Sequence, residues 1–174
     1  MVDTKNEYLC YLVTNKTHPR RIYMFSCNDH EQCKEDAFNR AKQLCEEKNL
    51  RFTELRQRVF DIVWDSHQPI KAYDILRKMS NESHTVKPPI VYRSLDFLLE
   101  HRLIHKLTSV SAYTGCKHPT DTHDCSFLIC TVCNNAQEFC HETLTEHILG
   151  VIDSHNFSKE KKIVEVLGKC HNCR

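Results

Sequence analysis

Between residues 30 and 100 the apolar positions recur every three or four residues, and beyond that point the spacing changes towards alternation. Ala37, Ala41, Leu44 and Cys45 fall on one face of a helix that Asp29 and Gln32 open by capping. Thr53 is placed to cap a second helix carrying Val59, Phe60, Val63 and Trp64. Ala72, Ile75, Leu76 and Met79 stand at i, i+3, i+4 and i+7, the stripe of a third, amphipathic helix. Pro88-Pro89 breaks the chain and starts a fourth, because proline is tolerated in the first helical turn. There Val91, Leu95, Leu98 and Leu99 form the inner stripe, leaving Tyr92, Arg93, Asp96 and Glu100 outside.

Leu103–Leu107 and Ser111–Thr114 read as two strands joined by a short turn. Helices followed by such a hairpin are the parts of a winged helix-turn-helix. The stretch from Lys117 to Asp124 holds Pro119 and little apolar content, which predicts a hinge. Beyond it, 126–129, 137–139 and 163–167 read as strands and 142–153 as a helix, a small α/β unit with a three-stranded sheet. The predicted class is therefore α+β. Residues 29–116 form the winged unit, 117–124 the hinge and 125–174 the second unit, with 1–28 an N-terminal extension.

Composition narrows the function. Only 3 of 174 residues are Gly and 5 are Pro, which excludes a linker or collagen-like chain. The longest apolar run, Tyr8 to Val13, is far too short for a helical membrane span, and it lacks the flanks of a secretory signal. These features predict a cytoplasmic protein with no membrane partner. In a reducing compartment, 11 Cys beside 12 His point to metal ligation before disulfides. The near-zero net charge of +1 hides a division: residues 51–118 carry 11 basic and 7 acidic side chains, and 119–174 carry 5 and 8. A basic middle followed by an acidic end suits a polyanion bound by one unit only.

The strongest chemical motif is Cys130-x-x-Cys133 with Cys170-x-x-Cys173. Each pair places two thiolates on one tight turn, and two such turns close a tetrahedral structural zinc site. Asn134-Asn135 suits a turn needing positive φ, and the long gap between the pairs must contain structure of its own. His105, Cys116, His123 and Glu138 are a second candidate set, contributed by the hairpin, the hinge and a strand beside the first Cys pair. Imidazole, thiolate and carboxylate together suit tetrahedral zinc, and the thiolate disfavours Mg, Ca or Mn. No metalloprotease HExxH or deaminase HxE…PCxxC pattern is present, and four protein ligands leave no open position for a reactive water. No catalytic residue is expected, and no small-molecule substrate.

The segment Lys87-Pro-Pro-Ile-Val-Tyr-Arg-Ser-Leu-Asp-Phe-Leu-Leu-Glu100, followed by His105-Lys106 and Tyr113-x-x-Cys116, closely resembles the ferric uptake regulator (Fur) family. The likeness runs from about residue 30 to the C-terminus and is strongest to the family's zinc uptake regulators. It implies a homodimeric, metal-dependent repressor built from a winged DNA-binding domain and an α/β dimerisation domain. By position it implies structural zinc on Cys130, Cys133, Cys170 and Cys173 and regulatory zinc on His105, Cys116, His123 and Glu138, two ions per protomer. The Cys at 116 favours zinc over iron, manganese or peroxide sensing. Tyr92 and Arg93 match DNA-facing residues; Arg56, Arg58, Lys71, Lys87 and Lys106 are candidate phosphate contacts.

Several positions depart from the family pattern. Glu54-Leu55 replaces a common Pro-Gln, and the segment between Cys116 and His123 is about one residue shorter, which admits His118 or Asp124 as ligands. A His that serves a further metal site in some members is missing near Ile163–Leu167. Cys125 and Cys140 read as buried or spare thiols. Residues 1–23, with Cys10, have no counterpart, and Met24 is an alternative start. The expected function is zinc-responsive repression of zinc-uptake genes from a double-stranded operator, with an iron- or peroxide-sensing regulator as the alternative.

Overall fold

The computed structural model describes residues 29–82, 86–117, 119, 126–139 and 141–174. The extension 1–28 and residues His118, His123, Asp124, Cys125 and Cys140 lie outside the described residues.

Among the described residues, four helices come first. α1 (His30–Glu47) starts where Asp29 Oδ1 accepts the Gln32 amide at 3.1 Å. The Gln32 side chain turns instead to Asp36, so this is a single cap and not a reciprocal box. α1 buries Ala37, Ala41, Leu44 and Cys45 and ends before Asn49, whose φ of 54° turns the chain away. α2 (Glu54–Val63) begins after Thr53, which sits at the expected cap position but makes no side-chain capping bond. α3 (Ala72–Glu82) and α4 (Pro88–Glu100) pack with α2 around Phe60, Ile75, Leu95 and Leu98, all essentially excluded from water.

The chain then enters the antiparallel hairpin β1 (Ile104–Leu107) and β2 (Ala112–Gly115), with His105 opposite Thr114. Ser111 takes a positive φ of 51° at its turn. Ile70, in the link from α2 to α3, exchanges both backbone hydrogen bonds with Tyr113 at 2.8 Å. This third extended partner leaves no alternating pattern in the sequence. Gly115 lies so close to the Trp64 indole that any Cβ there would collide with it.

A second sheet holds β3 (Ser126–Cys130), β4 (Ala136–Phe139) and β5 (Val164–Gly168) in the order β4-β3-β5. β4 runs antiparallel to β3 and β5 runs parallel to it; α5 (Glu142–Ser154) makes the crossover that a parallel pair requires. Leu107 and Val110 of the hairpin pack with Phe127, Ile129 and Ala136 of this sheet in a separate small core. Glu165 on β5 accepts the backbone amides of Thr108 and Ser109, both at 2.7 Å, so the hairpin tip is held by the sheet. The α+β class and three-stranded sheet match the expectation, with element ends shifted by about a residue. No helix among the described residues is long and apolar enough to cross a membrane.

Candidate metal centres and DNA-facing helix

The register of β3 and β5 assembles the four cysteines. Cys130 ends β3 opposite Gly168, and two residues later Cys170 arrives beside it. Asn134, at a φ of 58°, closes the turn that returns Cys133, while Cys173 follows on a short 3-10 turn whose amide bonds to the Cys170 carbonyl at 3.0 Å. The four Sγ atoms lie within 4.8 Å of one another, with Cys133 and Cys170 at 3.8 Å. The amides of Cys133 and Cys170 hold the Cys130 thiol down to about 6; the second of these reaches its sulfur at 3.3 Å. Hydrogen bonding with Cys170, loss of water contact and the other sulfurs push Cys173 up to about 12. The surroundings thus favour ionisation at one sulfur and oppose it at another, a conflict that a dication resolves. The residues fit zinc.

A second cluster joins the hairpin to the sheet. His105 projects from β1, Cys116 follows β2 with its amide bonded to Leu103 O at 3.2 Å, and Glu138 stands on β4. Their ligand atoms lie within 4.8 Å of one another. His105 Nε2 is 3.4 Å from Glu138 Oε1, the Lys117 amide approaches Glu138 Oε2 at 3.4 Å, and the Phe127 ring packs edge-on against the imidazole. The donor set of nitrogen, sulfur and oxygen fits zinc, and the fourth residue of the expected set, His123, lies outside the described residues.

On α4, Val91, Leu95, Phe97 and Leu98 face inward, and Tyr92, Arg93 and Asp96 are exposed. Lys87 is exposed at the N-cap. Arg56 is placed differently: its guanidinium donates to Arg51 O and lies 3.6 Å over the Phe97 ring, half-buried between α2 and α4. It still lines a shallow groove with Arg51, Thr53, Ile90 and Arg93. Arg51 was not among the candidate contacts. It precedes the helix that carries Arg56, and no periodicity marks it. A third cluster, His30, Cys33 and His67, was also missed, although His30-x-x-Cys33 is the spacing that puts two ligands on one helix face.

A winged helical unit joined to a small α/β sheet, with one ligand cluster inside the sheet and another across the junction, defines a metal-linked DNA-binding class. A sequence profile of the Ferric uptake regulator family matches residues 47–167, and the chain belongs to that family. It is 33% identical over 135 residues to the zinc uptake regulation protein of Escherichia coli (strain K12), covering 76% of this chain and 78% of that protein. Its structure is similar to a zinc uptake regulator complexed with zinc and DNA, with a TM-score of 0.77 and 30% identity over 80% of this chain and 94% of that one. The holo form of XcZur matches with a TM-score of 0.72 and 33% identity over 79% of this chain and 96% of that one. The apo form reaches only 0.51 at 31% identity over 82% and 98%. The chain thus superposes better on the holo form than on the apo form.

Proposed function

We propose that the protein is a zinc-responsive transcriptional repressor that acts in the cytoplasm as a homodimer, binds operators of zinc-uptake genes and carries no catalytic site. The observation that supports this most is the His105–Cys116–Glu138 cluster, because its members come from both units of the fold. Residues 29–116 serve as the DNA-binding domain, 117–124 as the hinge and 125–174 as the dimerisation domain.

In this reading Cys130, Cys133, Cys170 and Cys173 hold a structural zinc ion. His105, Cys116, His123 and Glu138 hold a regulatory one, which supplies a cross-link between hairpin and sheet. The chain's own contacts favour the same arrangement: Leu107 and Val110 bury against Phe127, and Glu165 fixes the hairpin tip. With the junction set, α4 of each protomer presents Arg93 and Tyr92 to successive major grooves, Arg93 donating to purine edges and Lys87 and Arg51 meeting phosphates. Zinc raises affinity to the extent that it raises the fraction of dimers in this arrangement.

The test is selection from random double-stranded DNA, then operator affinity measured at buffered free zinc and separately at buffered ferrous ion. Tight binding that follows free zinc is expected. Binding that follows ferrous ion and ignores zinc would replace this reading with the iron-sensing one.

A further inference from the structure

His30, Cys33 and His67 lie apart from both clusters already described, and their ligand atoms also come within 4.8 Å of one another. His30 and Cys33 occupy successive turns at the start of α1, and His67 belongs to the loop between α2 and α3. The two imidazoles meet edge to face with centroids 4.8 Å apart. Ring packing alone accounts for two histidines together; it does not bring a thiol to the same point.

The orientation of His30 is the second observation. Its Nε2 is 3.1 Å from the Asp65 carbonyl oxygen, which can only accept, so Nε2 carries the proton and donates. In that tautomer Nδ1 presents the lone pair. A backbone carbonyl holding the distal N–H is the usual support for a ligating imidazole, fixing tautomer and ring direction before the ion arrives. All three side chains are half-exposed, so an ion has a path in.

We propose that His30, Cys33 and His67 form a third metal site, for zinc or a similar borderline dication such as cobalt(II). One thiolate with two imidazoles suits such ions. Tetrahedral coordination at the usual bond lengths separates ligand atoms by about 3.3–3.8 Å, a modest contraction from the span seen here. Three protein ligands leave a fourth position for water or another donor. The ion ties the first turn of α1 to the α2–α3 loop. Gln68 on that loop points its amide to the Cys133 carbonyl at 3.4 Å, so the site braces a loop that also touches the first thiolate turn. Nothing in this proposal depends on the regulatory role given to Cys116.

Full-length Cys116→Ser protein, purified with its four-cysteine zinc in place, is titrated with cobalt(II) alone. One added equivalent with a thiolate-to-cobalt charge-transfer band is expected, and the band and the equivalent should both vanish with Cys33→Ser. Cys33 packs against the core, so His30→Gln, at a half-exposed position outside it, provides the second variant and should lose the same equivalent with an unchanged circular dichroism spectrum. No band in Cys116→Ser, a band that survives Cys33→Ser, or parental stoichiometry in His30→Gln would each overturn the site. Such a failure would leave zinc-dependent operator binding by the parent as it was, so the two readings fail separately.

Discussion

Arg93 and Arg56 are both basic and both border the α2–α4 groove, yet they stand in different surroundings. Arg93 is exposed on α4, so Arg93→Ala should leave thermal unfolding unchanged and weaken operator binding by about 1–3 kcal/mol per site, read by fluorescence anisotropy. Unchanged affinity would remove α4 from the DNA interface. Arg56 covers the Phe97 ring, and its alanine variant should lower stability by about 1 kcal/mol through lost cation–π contact and packing, besides any effect on DNA. The sequence made both arginines visible as charges but could not separate them, because Phe97 lies 41 positions away and only the α2–α4 contact joins them. The cysteines divide in the same manner. Cys170→Ala removes one sulfur from the cluster that the turns after β3 and β5 converge on; such zinc sites bind with on the order of 10–16 kcal/mol, above the ~5–15 kcal/mol that holds a typical domain folded. That variant should lose zinc, dimer and solubility together. Cys116→Ser should stay dimeric with its structural zinc and lose only the zinc response. Zinc per protomer, sedimentation mass and operator affinity at high and low free zinc decide between these outcomes, and a Cys116→Ser protein that responds like the parent would sink the regulatory assignment.

At the scale of elements, one carboxylate adds to the apolar packing that joins hairpin and sheet. Burial pushes the Glu165 carboxyl up, but hydrogen bonds from Ser109 and the Thr108 amide together pull it further down, leaving it below the usual range. A carboxyl whose folded pKa is lowered contributes stability above its unfolded pKa, and that contribution is lost as pH falls through the folded value. Glu165→Gln should therefore melt below the parent at neutral pH, by an amount that reflects about 1 kcal/mol at this part-exposed position, and the gap should close in acid. A gap that persists well below the carboxylate range would assign the effect to shape instead of charge. The elements themselves were legible because amphipathic stripes and Pro88-Pro89 act locally. The Glu165 brace was not: it joins positions 56 and 57 residues apart, and nothing near Glu165 in sequence distinguishes it from a solvated acid. The Ile70–Tyr113 pairing escaped for the same reason, since a single extended residue has no period. Cys130 to Cys173 stood out despite their separation because CxxC is local within each pair and chemistry supplies the partner.

For the whole molecule, two of the described elements leave apolar side chains uncovered. α5 buries none of its residues within the protomer, and Leu149 and Val151 on it are exposed. β5 is an edge of its sheet among the described residues, with Val166 and Leu167 about half exposed. An uncovered edge strand with apolar side chains is a template for pairing, and proteins that keep such an edge cover it. A second copy of the chain meets both requirements at once, since a two-fold axis beside β5 would bury the same residues from each side. The double variant Val151→Glu/Val166→Glu places a charge on each of these elements while leaving the four-cysteine cluster and the winged unit intact. It should sediment as a monomer, retain structural zinc and bind operator far more weakly, because each half-site contact must then form without the effective concentration that linkage provides. The salt dependence should separate the two states as well: each phosphate neutralised contributes roughly −0.9 to the slope of log affinity against log salt, so a protomer binding alone should show about half the slope of the dimer. A double variant that remains a dimer with the parent's affinity and slope would place the subunit contact elsewhere on the molecule.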